Sequence, residues 1–282
     1  MEIFEEIEPL RAFLKGNGKA LGTVGLVPTM GALHKGHLAL IQACKAENSL
    51  TVCSIYVNPA QFNNKSDLEK YPRTWEADVA MLKSEGCDVL FAPQDAEMYS
   101  GQPMGFDFGQ LDKVLEGKFR PGHFSGVALA VSKLFNIVQP DRAYFGQKDY
   151  QQLQVINCLK EELKFPIELR SVPIVRENSG LALSSRNQRL GEEGKRQAVF
   201  LFNSLCHAKD KILKGVPFSK IKAEVEQRAK LEPGVRLEYF ELANRHTLQP
   251  LEEAKDMEDE IILIAAFVGE VRLIDNMMLA KQ

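Results

Sequence analysis

Short apolar runs alternate with amphipathic segments along the first 175 residues, a pattern that predicts an α/β protein. The apolar runs are short and bounded by glycine, proline or polar residues, and they predict five strands, at 23–27, 50–57, 88–93, 142–146 and 167–175. Helical spacing of apolar residues predicts helices at 2–15, 36–47, 67–86, 127–138 and 150–163. Strands that alternate with helices pair in parallel through right-handed crossovers, so we expect a parallel sheet flanked by helices.

The pattern changes after about residue 192. Two charged amphipathic segments predict helices and three strand-like runs follow them, at 192–214, 217–230, 235–242, 261–268 and 271–274 in chain order. Only Gly269 and Glu270 separate the last two runs, which favours an antiparallel hairpin. We therefore expect a domain with the parallel sheet at 1–174 and a smaller α+β domain at 175–282.

The composition narrows the classes of protein. Of the 282 residues, 45% are hydrophobic and 26% are charged, as in ordinary globular proteins. A net charge of −3 offers no basic surface to nucleic acid, and the apolar runs are too short to span a bilayer. The acidic N-terminus does not resemble a secretion signal, and the five scattered cysteines are typical of reduced core residues. We expect a cytoplasmic protein without nucleic-acid or membrane partners.

A turn between a strand and a helix lies in the segment VPTMGALHKGHL, residues 27–38. Pro28 and Gly31 predict that the first strand ends here, because proline cannot donate to a sheet ladder and glycine permits a tight turn. An apolar helical pattern begins near residue 36. Such turns follow the carboxyl ends of strands, where open α/β sheets bind ligands.

Two histidines occupy this turn in the pattern His-x-Gly-His. His34 and His37 are three residues apart at a helix start, so both imidazoles can face one anion near unpaired backbone N–H groups. Gly36 between them lets a phosphate or a flat base approach the backbone. Helix capping and metal binding remain alternative roles for the histidines.

Polar residues follow other strands as well. Gln61 comes after the second strand and Lys148 after the fourth, so both belong at the carboxyl edge of the sheet. The polar loop at 176–187 contains Ser184, Ser185 and Arg186, which suit contact with phosphate oxygens. The alternatives are a glutamine bonded to backbone, a surface lysine and a plain linker.

Three further polar residues are weaker candidates. Asp78, on the helix predicted at 67–86, could reach a nucleotide-bound magnesium, although a solvent-facing acid is the preferred interpretation. Arg120 and His123 precede the helix predicted at 127–138, where they suit either an anion or a capping role.

The segment PTMGALHKGHLAL resembles the signature of the pantothenate synthetase family, in the nucleotidyltransferase superfamily that shares His-x-Gly-His with class I aminoacyl-tRNA synthetases. NPAQF, FGQKDYQQL, GLALSSRN and LIDN follow in the family's order, so the resemblance spans the chain. The chain departs from the family pattern at Gln147, where an acid is usual, and at Leu183, where methionine is common. Asn178 and Ser179 replace residues that are often acidic.

The resemblance implies a ligase with a Rossmann-like domain at 1–174, binding ATP and pantoate, and a lid domain at 175–282. The carboxylate of pantoate attacks the α-phosphorus of ATP, giving pantoyl adenylate and pyrophosphate. The amine of β-alanine then attacks the anhydride and releases AMP and pantothenate. The resemblance also implies Mg²⁺ with the ATP and a homodimer, but it names neither protein ligands for the metal nor a base for the amine.

The resemblance assigns roles to particular residues. His34, His37 and Lys148 would stabilise charge during phosphoryl transfer. Gln61 and Gln152 would hold pantoate, and Gln61 also β-alanine, since a carboxamide can donate and accept at once. The implied ATP-binding residues are Met30, Gly31, Ala32, Leu33, His34, Lys35, Gly36, His37, Gly146, Gln147, Lys148, Asp149, Val175, Leu183, Ser184, Ser185 and Arg186.

Three rival classes make different demands on the chain. Another adenylyltransferase of the superfamily would need a basic phosphate pocket instead of the Gln61 and Gln152 pair. A class I aminoacyl-tRNA synthetase would need an anticodon-binding domain and a basic face. A non-catalytic nucleotide-binding module would bind ATP without releasing pyrophosphate.

Overall fold

The computed structural model describes residues 1–18, 22–99, 101–102 and 104–280, and the chain divides into two compact units. The first comprises Met1–Gln147 and Gln152–Pro173, and the second comprises Lys148–Gln151 and Ile174–Gln282. The short segment Lys148–Gln151 thus groups with the C-terminal unit. The functional division into a binding domain at 1–174 and a lid at 175–282 stays a prediction.

The first unit contains a sheet of six parallel strands in the order β1-β4-β3-β2-β5-β6. The strands are β1 (Glu2–Phe4), β2 (Val24–Thr29), β3 (Leu50–Ile55), β4 (Val89–Phe91), β5 (Arg142–Gly146) and β6 (Glu168–Val172). Strands β2, β3 and β4 are almost entirely buried, as expected when both faces of a parallel sheet are covered.

Helices cover both faces of this sheet. The described helices are α1 (Ile7–Phe13), α2 (Lys35–Glu47), α3 (Lys65–Glu69), α4 (Trp75–Ser84), α5 (Asp95–Met98), α6 (Leu115–Phe119), α7 (His123–Val138) and α8 (Tyr150–Glu162). Successive residues of β2 enter different cores, because side chains alternate along a strand. Leu26 packs in the core built with α1, α7 and α8, whereas Val27 packs in the core built with α2 and α4. The predicted α/β class is confirmed.

The predicted helix at 2–15 is wrong in its first turn. Residues Glu2–Phe4 form strand β1, which pairs in parallel with Val89–Phe91. The α-helix spans only Ile7–Phe13, and a π-helical turn, Leu14–Gly18, follows it. The apolar residues at this end suit either periodicity over so few positions. Pairing with an existing sheet edge decides for the strand, since tertiary contacts override local preference.

Proline residues account for two other corrections. Strand β2 continues through Pro28 to Thr29, because pairing of β2 with β5 is confined to Gly25 and Leu26 and Pro28 lies beyond it. The predicted helix at 67–86 is two helices, α3 and α4, separated at Pro72.

Elsewhere the boundaries shift. The helix predicted from 127 begins at His123. The glycine-rich sequence of residues 94–121 predicts loops with a hairpin near 106–108. Instead, α5 and α6 form there, and 106–108 is not in a strand. Residues 100 and 103 of that segment lie outside the described residues.

The second unit is a small α+β fold. Strands β7 (Val235–Asn244), β8 (Glu260–Val268) and β9 (Val271–Met278) form an antiparallel sheet in that order. Val268 pairs with Val271, so Gly269 and Glu270 make the predicted two-residue hairpin turn. Helices α9 (Glu192–Leu213) and α10 (Phe218–Leu231) share one hydrophobic core with this sheet. The predicted antiparallel α+β architecture is confirmed.

The cysteines are all free, and three of the five lie in the core. Burial raises the pKa of the Cys44 thiol to about 12 and that of Cys87 to about 11, so both stay protonated and unreactive. Cys158 is only partly buried and Cys206 is exposed, which corrects the expectation for these two. None of the helices in the described part of the chain combines the length and the apolarity that a bilayer crossing requires.

Candidate active site

The turn after β2 is shaped by two residues in the left-handed region and by one buried carboxylate. Gly31 and Ala32 have φ angles of 77° and 49°. Asp78 of helix α4 accepts the backbone N–H groups of Ala32 and Leu33, each at 2.8 Å, and the hydroxyl of Thr74 at 3.0 Å. The carboxylate therefore replaces the hydrogen bonds that this tight turn cannot make within its own backbone.

Asp78 corrects a sequence-based expectation. It is 1% exposed, so it is not a solvent-facing acid. Both of its oxygens accept protein donors, which also leaves it poorly suited to bind magnesium. Thr74, four residues earlier, could have indicated that Asp78 has a protein partner, because residues four apart lie on the same face of a helix.

His34 and His37 cap helix α2 reciprocally. The Nδ1 atom of His34 accepts the backbone N–H of Gly36 at 3.1 Å, and the Nδ1 atom of His37 accepts that of His34 at 3.3 Å. The two ring centroids are 4.1 Å apart. The capping alternative is thus confirmed, and it engages the Nδ1 atom of each ring. Because Nδ1 accepts in both, a neutral ring carries its proton on Nε2, as a hydrogen-bond donor.

The turn after β3 brings Gln61 to the same edge of the sheet. Gln61 ends the 3₁₀ turn Pro59–Gln61 and is 9% exposed. Its Oε1 atom accepts the side-chain amide of Asn58 at 3.0 Å, and its Nε2 atom contacts the sulfur of Met30 at 3.1 Å. The contact with Met30 joins two predicted binding segments, since Met30 follows the adjacent strand β2.

Asn58, three residues after the end of β3, is a further polar residue of this edge that the sequence motifs did not indicate. It is buried and caps the turn, its Oδ1 atom accepting the N–H of Ala60 at 3.2 Å and the hydroxyl of Tyr99 at 2.6 Å. Burial and nearby Asp95 raise the pKa of Tyr99 to about 12, so this hydroxyl remains a donor. The Asn-Pro dipeptide was the available signal, because asparagine before a turn commonly caps it.

The remaining candidates of the first unit lie on or beside strand ends. Gly146 is the last residue of β5 and Gln147 begins the 3₁₀ turn Gln147–Asp149. Gln152 is partly buried in the first turn of α8. Lys35 is exposed at the first position of α2.

In the second unit, Lys148 and the segment around Ser184–Arg186 share one pocket. Lys148, Ser184, Asn187 and Asp275 are the polar residues that line it, among apolar side chains of α9 and β9. The Lys148 side chain is 16% exposed, and its ammonium is 3.8 Å from the carboxylate of Asp149. The pocket measures about 10 Å³, roughly the space for the centre of one water molecule.

The turn at Ser184–Arg186, called the serine–arginine turn below, has a hydrogen-bonded backbone. The N–H of Leu183 donates to the carbonyl of Val175 at 3.0 Å, and the Ser184 hydroxyl oxygen accepts the N–H of Arg186 at 3.3 Å, capping the 3₁₀ helix Ser185–Arg189. Asn187 donates to the carbonyl of Ala182 at 3.0 Å, but its buried Oδ1 atom accepts no hydrogen bond from the described residues. The turn thus leaves one acceptor unused beside the pocket.

The motif LIDN anchors both segments of this unit. Asp275 binds the guanidinium of Arg176 through two hydrogen bonds of 2.6 and 2.9 Å, and the Asn276 side chain donates to the carbonyl of Lys148 at 2.9 Å. Burial raises the pKa of Asp275 against the opposing effect of Arg176. Arg176 is therefore a structural residue at the base of the loop.

No group of three or more His, Cys, Asp or Glu side chains that could hold a metal ion occurs among the residues described.

Fold and site together define an α/β protein with a His-x-Gly-His helix start at the carboxyl edge of a parallel sheet. The family model for pantoate-beta-alanine ligase matches residues 2–278. A pantothenate synthetase of Cytophaga hutchinsonii is 47% identical over 279 residues, covering 97% of each chain, and one of Corynebacterium efficiens is 48% identical over 267 residues, covering 92% of each.

Solved structures agree with this assignment. Pantothenate synthetase from Thermus thermophilus superposes with a TM-score of 0.92 at 40% identity, covering 100% of both chains. Pantoate-beta-alanine ligase from Francisella tularensis, complexed with beta-gamma ATP and beta-alanine, gives 0.82 at 33% identity, covering 100% of this chain and 99% of that one. The chain belongs to the pantoate–β-alanine ligase family, whose members are called pantothenate synthetases, and it is a ligase. The three rival classes are thereby set aside.

Proposed function

We propose that this chain condenses pantoate with β-alanine at the expense of ATP, through a pantoyl-adenylate intermediate. A carboxylate oxygen of pantoate attacks the α-phosphorus, the bond from that phosphorus to the bridging oxygen breaks, and pyrophosphate leaves. The β-alanine amine then attacks the acyl carbon, AMP departs and the amine gives up its proton. The observation that carries the proposal is the pair of histidines whose Nδ1 atoms are both engaged, because it commits both Nε2 atoms to donation.

The reaction needs charge stabilisation more than it needs a nucleophile. Negative charge moves onto phosphate oxygens as the adenylate forms, and donors held in place beforehand stabilise it without reorganisation. His34 and His37 would donate from the N-terminus of α2, whose peptide dipoles favour an anion at the same place. Lys148 would act as a point charge on the phosphates.

The remaining ATP contacts would come from the turns already described. The backbone of Met30–His37 and of Gly146–Asp149 would approach the nucleotide. Val175 and the segment Leu183–Arg186 would contact it from the predicted lid, with Arg186 pairing with phosphate oxygens. The ordered cap at Ser184 supports this role, since it fixes the backbone from which Arg186 extends.

Gln61 and Gln152 would bind pantoate. Gln61 is buried beside Met30, and its carboxamide can offer both a donor and an acceptor to hydroxyl and carboxylate groups. Binding of pantoate would replace the weak contact to the Met30 sulfur with a stronger hydrogen bond. Gln152 would supply the second carboxamide. An adenylyltransferase that acts on a phosphorylated substrate would need a basic pocket instead of these two glutamines.

Mg²⁺ would accompany ATP and neutralise charge on the departing pyrophosphate. Magnesium usually keeps several waters and takes one or two carboxylates besides substrate phosphates. Asp149 fits such a role because its side chain is 49% exposed and lies in the same turn as Lys148. Asp78 does not fit, since protein donors occupy both its oxygens.

We further propose a cytoplasmic homodimer, following the family. Sedimentation of the purified protein across a concentration series tests the dimer, and a single monomeric species would exclude it.

Pyrophosphate release across a panel of acids and amines tests the activity. We expect release to require pantoate, and pantothenate to form only when β-alanine is added. A protein that releases pyrophosphate with other acids but not with pantoate would overturn the proposed substrate.

A further inference from the structure

A buried polar chain connects the main chain of Gln61 with helices α6 and α7. The Nδ1 atom of His123 lies 2.8 Å from the carbonyl oxygen of Gln61, and its Nε2 atom lies 3.0 Å from a guanidinium nitrogen of Arg120. That guanidinium is 4.0 Å from the carboxylate of Glu116. The Arg120 and Glu116 side chains are only 17% and 7% exposed, so the chain is largely shielded from water.

This arrangement corrects the sequence-based interpretation of Arg120 and His123. The N-cap of α7 is Gly122, with φ of 79°, and none of the described side chains caps the helix. Capping is therefore wrong for both residues. His123 turns instead towards Gln61, in the neighbouring turn of the sheet edge.

The partners of His123 permit only one protonation state. A carbonyl oxygen can only accept, so Nδ1 must donate, and a guanidinium can only donate, so Nε2 must accept. His123 is consequently neutral and carries its proton on Nδ1, the opposite tautomer to His34 and His37. The assignment follows from the chemistry of the two partners.

Helix α7 also presses directly against the turn. A Cβ atom at Gly126 would lie 2.2 Å from the carbonyl oxygen of Ala60, so only glycine permits this approach. Asn58 spans the same contact, since its side-chain amide donates to the carbonyl of Gly126 and to Oε1 of Gln61, both at 3.0 Å. Movement of the start of α7 therefore moves both the backbone and the carboxamide of Gln61.

We propose that His123 is a positioning residue for Gln61: its neutral ring, held by Arg120 and Glu116, fixes the main chain from which the pantoate-binding carboxamide extends. The proposal rests on the proposed role of Gln61. The segment Arg120–His123 would thus influence the affinity for pantoate without contacting pantoate itself. Arg120 contributes by holding the tautomer, because a ring free of Arg120 could carry its proton on Nε2 and lose the bond to Gln61.

Three substitutions of His123 and Arg120 test the role. His123→Phe keeps a ring but removes both nitrogens, and we expect the KM for pantoate to rise at least tenfold while the KM for ATP stays within twofold. In His123→Asn the side-chain amide can reproduce the Nδ1 donor, so most of the pantoate affinity should return. Arg120→Met should give an intermediate rise in the KM for pantoate, and it keeps the test available if His123→Phe folds poorly.

Ser132→Ala is the matched control. Ser132 lies on the same helix and is equally buried, but among the described residues its hydroxyl bonds only to the carbonyl of Leu129. It should alter the thermal midpoint without altering the KM for pantoate. If loss of stability alone raised that KM, Ser132→Ala would raise it too and the positioning role would be overturned.

A double-mutant cycle separates this inference from the proposed function. If His123 acts through Gln61, His123→Phe should change the KM for pantoate less than twofold in a Gln61→Ala background. An unchanged KM for pantoate in Gln61→Ala alone would refute the proposed function of Gln61. A normal Gln61→Ala effect with additive His123→Phe, or with no His123→Phe effect, would refute the positioning role only.

Discussion

The turn after β2 in the first unit, Met30–His37, is called the histidine turn here. It and the serine–arginine turn of the second unit are stabilised in different ways. Each must present hydrogen-bond donors from irregular backbone. The histidine turn is satisfied internally: Asp78 accepts the N–H groups of Ala32 and Leu33, and the two histidines cap their own helix. The serine–arginine turn is held at its base by Arg176 and Asp275, and the buried Oδ1 atom of Asn187 accepts no bond within the described structure.

The histidine turn is therefore preorganised, whereas the serine–arginine turn keeps one buried acceptor, Oδ1 of Asn187, without a hydrogen bond from the described residues. Buried polar atoms without partners cost stability, so they are uncommon unless something else fills them. We therefore expect substitutions at the histidine turn to affect the chemical step, and substitutions at the base of the other turn to affect folding first.

The largest effect should come from Arg176. Arg176→Met leaves the carboxylate of Asp275, 3% exposed, without its partner, and breaking such a buried pair typically costs about 3–5 kcal/mol. The loss of stability is measured as the change in the free energy of unfolding, obtained from urea titration. Arg196→Met removes an exposed ion pair with Glu193 and should produce no measurable change. Equal stability of the two variants would contradict the structural role of Arg176.

The next largest effect concerns the phosphate donors. His37→Ala and Lys148→Ala should each slow adenylate formation by roughly 10²–10³, or about 2.7–4 kcal/mol, because a donor that acts in the transition state is lost. Pantoate-dependent exchange of pyrophosphate into ATP measures this step.

Both variants should still fold and should still convert separately supplied pantoyl adenylate with β-alanine, since the anhydride is already activated. His246→Ala, an exposed histidine of the second unit, serves as the control and should exchange normally. Loss of the amine step alone would assign His37 to proton removal instead.

A smaller effect is expected at Asp78. Asp78→Asn replaces one acceptor oxygen with an N–H₂ group that faces a backbone N–H, and such an unsatisfied buried donor costs about 1–3 kcal/mol. Unfolding experiments should show that loss, with a fall in the affinity for ATP. Glu76→Gln, an exposed change on the same helix, should show neither. An Asp78→Asn protein of normal stability would mean that the carboxylate is not what holds the turn.

The smallest expected signal concerns the loop at 178–186. If Ser184–Arg186 closes over the triphosphate, ATP with Mg²⁺ should slow protease cleavage in this loop severalfold, and pantoate alone should protect it much less. Mass spectrometry of the fragments locates the cut. Cleavage at the same rate with and without nucleotide would favour a plain linker.

Much of the fold was predictable because periodicity is a local property. The buried strands β3 and β5 and the helices α2, α8, α9 and α10 lie within a few residues of their predicted positions, since an apolar run or helical stripe survives whatever it packs against. The hairpin at Gly269 and Glu270 was equally local, being set by a two-residue turn. Motif spacing likewise indicated His34, His37 and Gln61 as residues at the edge of the sheet.

Only the tertiary structure could decide how polar residues are used, because their partners are far away in sequence. Asp78 reaches Ala32 across 46 residues, His123 reaches Gln61 across 62, and Arg176 reaches Asp275 across 99. Strand β1 depends in the same way on an edge offered by β4. The sequence by itself determined which segments are strands and helices and which turns carry chemistry. Packing determined which carboxylates and imidazoles hold those turns in shape, since a buried hydrogen bond exists only once both partners have been brought together.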